Sequence, residues 1–99
     1  MVRARFRSLV SCFVLLVLDC DNTLWGGVLD EMGLQGIKYD EDGIGKVFKE
    51  FQIELKRLKN KGFLLSISSK NNTEKVWEAM KKRNMILSKE DFIFPKINW

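Results

Sequence analysis

An α/β fold with a short parallel sheet of about three strands is the class this sequence predicts, on three observations. Residues 13–18 form an unbroken apolar run that stops abruptly at Asp19. From Ile44 onward, apolar residues recur at helical spacing with charged residues between them. Strand-like and helix-like segments then alternate toward the end of the chain. Ninety-nine residues bound this to one small domain, and 45% hydrophobic with 30% charged residues is the composition of a chain that packs a core.

Taken in order, residues 13–18 are apolar and partly β-branched, as expected for a strand covered on both faces of a parallel sheet. Residues 26–39 carry Gly26, Gly27, Gly33 and Gly36 between short apolar pairs, which predicts a hairpin or a flap. Ile44, Val47, Phe48, Phe51, Leu55 and Leu58 mark one face of a helix, with Asp42 placed to cap it and Gly62 to follow its end. Residues 63–68 read as a second strand. Asn71 or Thr73 can cap a second helix running to about Arg83, with Glu74 as a capping-box partner of Asn71. Residues 92–94 are the candidate third strand, followed by Pro95. Right-handed crossovers then give a parallel sheet, and ligands bind beyond the carboxyl ends of its strands. Two polar clusters stand at such ends, Asp19-Cys20-Asp21-Asn22-Thr23 and Ser68-Ser69-Lys70-Asn71-Asn72.

Composition excludes several chemistries. Histidine is absent, which removes Ser/His/Asp and Cys/His nucleophilic catalysis, a histidine-bound catalytic zinc and a histidine base. The net charge of +4 rests on Arg3, Arg5 and Arg7; the remaining body is nearly neutral, so nucleic acid is not an expected partner. Those arginines and the apolar residues after them imitate a secretory signal, but no small-residue cleavage site follows. The apolar run is about half the ~20 residues a membrane span needs. Residues 1–12 are therefore read as an unassigned basic leader, with no membrane partner expected. Cys12 and Cys20 are too few for a zinc site or an oxidised scaffold, which fits a cytoplasmic location.

Asp19 and Asp21 carry the chemistry. Carboxylates at i and i+2 straight after a buried strand can point the same way, and unpaired they repel. A divalent cation with oxygen ligands removes that conflict. Mg²⁺ suits it, because it takes one or two carboxylates and completes its shell with water and phosphate. The pair can also divide labour, one carboxylate attacking a phosphoryl group while the other moves a proton. The same spacing is common where two acids simply open and cap a turn.

The run Val17-Leu18-Asp19-Cys20-Asp21-Asn22-Thr23-Leu24-Trp25-Gly26-Gly27-Val28 resembles the first motif of haloacid dehalogenase (HAD) superfamily phosphotransferases, in the form seen in the FkbH-like branch, subfamily IIIC. Gly33-Leu34-Gln35-Gly36-Ile37, Phe51-Gln52 with Leu55-Lys56, Leu64-Leu65-Ser66-Ile67-Ser68-Ser69-Lys70-Asn71-Asn72, and Asp91-Phe92 with Ile97-Asn98-Trp99 are similar to that branch in order and approximate spacing. The resemblance implies a partial HAD-type, Rossmann-like three-layer fold over residues 13–99, with a flap after the first strand. It implies that Asp19 is the nucleophile and a Mg²⁺ ligand. Asp21 would be the general acid/base and also a metal residue, through its backbone carbonyl. Thr23, Ser69, Lys70 and Asn71 would serve the phosphate, Ser69 as the second-motif hydroxyl and Thr23 as a brace for the loop; Ser68 ranks below Ser69. Trp25, Gly26 and Gly27 would begin the flap.

A third-motif lysine and a fourth-motif acid are not found before Trp99, and Lys96 precedes the match that the family lysine follows. The expectation is thus a Mg²⁺-dependent phosphatase or phosphotransferase fragment acting through an aspartyl-phosphate on a phosphorylated small molecule. Full-length members of the branch are associated with loading glyceryl units onto acyl carrier protein. The alternative is a catalytically incomplete phosphate-binding or assembly module, self-associating through the exposed edge of the first strand. The basic leader also leaves open a secreted or membrane-attached peptide.

Overall fold

Parallel pairing between two apolar segments organises the chain. Strand β1 (Leu15–Leu18) runs beside β2 (Leu64–Lys70), with Leu15 opposite Leu64 and Leu18 opposite Ile67. Strand β3 (Lys96–Asn98) lies parallel on the other side of β2, Ser68 opposite Lys96 and Lys70 opposite Asn98, giving the order β1-β2-β3. Parallel neighbours need long crossovers. The first holds helices α1 (Leu29–Gly36) and α2 (Ile44–Asn60), and the second holds α3 (Thr73–Lys82) and a single 3-10 turn, Lys89–Asp91. The structure is a computed structural model and describes residues 14–40, 42–93 and 95–98. The leader with Cys12, and the expected strand positions Phe13 and Phe94, lie outside the described residues. Among the described residues no helix is long and apolar enough to cross a membrane.

The expected α/β class is observed, with local corrections. Strand β1 is covered on one face only: Leu16 and Leu18 pack against the core, whereas Leu15 and Val17 are 51% and 58% exposed. Alternate residues point to opposite faces, and the described elements cover one of them. Residues 26–39 form no hairpin of strands. They fold into α1, split at Gly33 (φ 76°, ψ 174°) and closed by a two-bond bridge between Gly26 and Lys38. The buried side chains of Leu29 and Ile37 hold this segment to the core. The Arg83 guanidinium clamps its far end, donating to the carbonyls of Leu34 (2.6 Å), Ile37 (2.9 Å) and Tyr39 (3.1 Å) and to Asp40.

Helix α2 ends as expected. The Gly62 N–H donates to Lys59 O and the Phe63 N–H to Leu58 O, the paired bonds of a Schellman stop. Its start is capped by the Gly43 backbone with no side-chain bond, so Asp42 is not the cap. Its inward face is also rotated from the apolar stripe: Gly45, Gln52 and Leu55 are buried, while Ile44, Val47 and Phe51 are exposed. At α3 the cap is Asn72, whose Oδ1 accepts from Lys75 N at 3.1 Å, rather than Asn71 or Thr73. Strand β2 runs to Lys70, past the expected end, and Asn71 is turned inward instead. The third strand starts after Pro95: Phe92 makes one parallel bridge to Leu65, and regular pairing begins at Lys96. Proline has no N–H to give a ladder, so pairing resumes beyond it.

Asp91 locks the 3-10 turn to α2. It is almost fully buried and accepts from Lys56 Nζ (2.6 Å), Ser88 N (2.9 Å) and Lys59 Nζ (3.1 Å). Burial alone would raise its carboxyl pKa, but the hydrogen bonds from Lys56, the Ser88 amide and Lys59 together hold it below the ordinary value. A carboxyl more acidic folded than unfolded stabilises fully above its unfolded pKa and loses that contribution as pH falls through the folded one. Asp91→Asn should therefore cost about 1–2 kcal/mol at neutral pH, a figure discounted because both lysines are partly exposed. The loss should shrink as pH falls below the carboxylate range, a convergence that urea unfolding across an acid pH series would measure.

Candidate functional site

The sheet register brings the two polar clusters together. Leu18 lies opposite Ile67, so Asp19 emerges beside Ser68, which in turn faces Lys96. The carboxyl ends of β1 and β2 and the first residue of β3 thus border one cavity of about 480 Å³, lined by Asp19, Asp21, Ser68, Ser69, Lys70 and Lys96.

The loop after β1 is fixed by its own backbone. Thr23 N and Leu24 N both donate to Cys20 O, and Asn22 adopts the left-handed region (φ 58°) that asparagine tolerates. The Asn22 side chain then accepts from Gly27 N at 2.8 Å, folding the loop back on itself. Leu24 and Trp25 are fully buried beneath it.

Asp19 and Asp21 are held differently. Asp19 is exposed, and its Oδ1 accepts from the adjacent Cys20 N at 2.7 Å. Asp21 is half-buried and pinned. Its Oδ1 accepts from Trp25 Nε1 (3.1 Å) and Leu29 N (3.0 Å), and its Oδ2 from Asn71 Nδ2 (3.3 Å). Trp25 is therefore both a core residue and a donor to the acidic loop. Asn71 also donates to Ser69 Oγ at 2.9 Å, so this one buried amide joins the ends of β1 and β2. The Cys20 thiol lies fully buried between the acids and is pushed up to about 12, chiefly by burial and further by the two aspartates, against a lowering hydrogen bond from Ser69. It is a packing residue with no thiolate to offer.

Of the expected site residues, Asp19, Asp21, Ser69 and Lys70 share the cavity wall. Asn71 stands behind it, touching Asp21 and Ser69. Thr23 is on the other side of the loop, in a smaller cleft with Asn22, Val47, Phe48 and Phe51. Sequence reasoning missed Lys96 in the wall and ranked Ser68 low. A correct start for β3 would have found Lys96, since the first residue of a strand paired to Ser68 must border the same rim.

The donor set suits a hard cation. Among the described residues no group of three or more Asp, Glu, Cys or His side chains gathers to hold a metal, so a site demanding many protein ligands is not built. Two carboxylates at an open cavity match a small ion that keeps several waters and shares its shell with phosphate.

Comparison with known proteins gives one informative likeness. No protein-family description and no curated protein sequence matches the chain. Among solved structures it is similar to the crystal structure of the N-terminal part of the protein BF1531 from Bacteroides fragilis, described as containing a phosphatase domain complexed with Mg. The identity is 41% and the TM-score 0.80, over 86% of this chain and 23% of the other, so the chain spans about a quarter of that structure.

Proposed function

We propose that the protein binds Mg²⁺ through Asp19 and Asp21 and acts on phosphomonoesters of small molecules by phosphoryl transfer to Asp19. The observation that carries this reading is the convergence of Asp19, Asp21, Ser69 and Lys70 on one cavity at the carboxyl ends of the strands. Likeness to a structure described as a Mg-complexed phosphatase domain supports it.

The chemistry follows from the positions of the chain's own groups. An Asp19 carboxylate oxygen attacks phosphorus while the bond to the leaving oxygen breaks, giving an acyl phosphate on Asp19. Asp21, oriented by Trp25, Leu29 and Asn71, passes its proton to the leaving oxygen. Water then attacks phosphorus, Asp21 takes up the water's proton, and phosphate departs with Asp19 restored. Ser69 and Lys70 hold the phosphoryl oxygens, and Asn71 keeps Ser69 and Asp21 in register. Thr23, placed away from the cavity, braces the loop. Bound Mg²⁺ supplies charge neutralisation for the two acids and the phosphoryl group.

Phosphate release from a generic aryl phosphate is the direct test. Release should require Mg²⁺, fall to background on chelation, and return with Mg²⁺ but not with Ca²⁺, which prefers more ligands in a looser shell. Release that chelation leaves untouched would overturn the reading.

Within this reading, Trp25-Gly26-Gly27 and Ser69-Lys70-Asn71-Asn72 support the FkbH-like branch of the HAD superfamily, with acyl carrier protein as the acceptor and a cytoplasmic setting. The exposed Leu15 and Val17 on edge strand β1 favour a second reading, a phosphate-binding module that self-associates. That version predicts Mg²⁺ and phosphate binding without turnover, and a dimer in sedimentation.

A further inference from the structure

We infer that Lys96, the first residue of β3, is a substrate-contacting residue of this cavity: with Lys70 it forms a cationic rim that recruits the phosphoryl dianion. The inference rests on the proposed phosphoryl-transfer site and adds a residue that the motif resemblance does not supply.

Three observations carry it. Lys96 lines the cavity together with Asp19, Asp21 and Ser69. The register sets Asp19, just past β1, Ser68, within β2, and Lys96, at the start of β3, in one row across three neighbouring strands. Two strand spacings separate Asp19 from Lys96, about 10 Å between backbones, a gap that a lysine stem and a phosphoryl group together fill. Laterally paired residues share a face, so Lys96 lies on the side of Ser68 and of Lys70, two residues further along β2. Finally, neither lysine is engaged elsewhere: among the described residues Lys70 and Lys96 make no ion pair, while Asp91, the acid nearest Lys96 in sequence, is occupied by Lys56 and Lys59.

Charge balance says what the rim is for. A divalent cation takes up the negative charge of the acidic loop, which leaves two lysines to meet an incoming group of two negative charges. That is the charge of a phosphomonoester, and each ammonium can give a charge-assisted hydrogen bond to its oxygens. In the empty cavity the same ammonium opposes a second cation beside the carboxylates. Lys96 thus favours the anion and disfavours the metal, a pair of opposite signs that a merely structural residue does not produce.

Calorimetry on the whole protein separates the possibilities, using Mg²⁺ alone and then inorganic phosphate at saturating Mg²⁺. Lys96→Gln should weaken phosphate binding about tenfold and make it less sensitive to salt, while tightening Mg²⁺ binding several-fold. Lys96→Arg should restore both, and Lys61→Gln, at the exposed end of α2, should change neither. Wild-type binding of both ligands with Lys96→Gln indistinguishable from it overturns the assignment of Lys96 alone, as does a joint loss of both ligands with a lowered melting temperature. A wild-type protein that binds neither ligand overturns the reading of the site and the inference with it.

Discussion

Asp19→Asn should lower Mg²⁺-dependent phosphate release by roughly a thousandfold or more while leaving the fold intact, the largest functional effect expected of any single change in this chain. The carboxylate is the attacking atom in the proposed reaction, and a neutral amide has neither its charge nor its nucleophilicity. Its structural role is slight. Asp19 is exposed, and its hydrogen bond from the Cys20 amide can be kept by an asparagine oxygen. Unfolding free energy should stay within about 0.5 kcal/mol of wild type. The neighbouring Asp21→Asn cannot make this separation. Its oxygens accept from Trp25, Leu29 and Asn71, and the new amide would set a donor against the Asn71 donor. Initial rates and urea unfolding on the same Asp19→Asn preparation decide the matter: near-wild-type turnover would reject Asp19 as nucleophile, and a large stability loss would make the rate uninterpretable for that purpose.

The chemistry of the first loop is legible in the sequence because it obeys two strong local rules. An apolar strand must end where charge begins, and polar residues at the carboxyl ends of parallel strands must share an edge. Those rules bring the clusters Asp19–Thr23 and Ser68–Asn72 to one edge, the motif resemblance selects Asp19, Asp21, Ser69 and Lys70 within them, and the structure places those four around one cavity. What escaped reading depended on partners distant in sequence. Four glycines in residues 26–39 signal turns, yet Leu29 and Ile37 find a core and Arg83 supplies donors to the carbonyls around them, so helix α1 forms there. The start of β3 depended on where pairing with β2 resumes after Pro95, which no local preference fixes. Asn71 reads as a helix cap until Asp21 is known to lie beside it.

Gln52 is the plainest of these cases, because periodicity counts glutamine as a solvent residue and the structure buries it completely. Its amide closes a gap between three segments. Nε2 donates to Leu24 O at 2.8 Å and reaches Met85 Sδ at 3.5 Å, and Oε1 accepts from Leu87 N at 3.0 Å and Tyr39 Oη at 3.5 Å. Leu24 belongs to the acidic loop and Leu87 to the segment after α3, where neither backbone group has a ladder to join. A buried backbone group without a partner costs about 1–3 kcal/mol, and the void left by truncation adds to that. Gln52→Ala should therefore destabilise by about 3–5 kcal/mol, a large share of the 5–15 kcal/mol typical of such a domain, and lower the melting temperature by roughly 12 °C or more. Gln52→Leu separates the two contributions, since it keeps most of the volume and removes every hydrogen bond. Leucine should recover the packing loss and leave a deficit of at least about 2 kcal/mol from the stranded Leu24 carbonyl and Leu87 amide. A leucine variant as stable as wild type in chemical denaturation would show that α2 needs only bulk at this position, and that the acidic loop is held by its own turn without the glutamine.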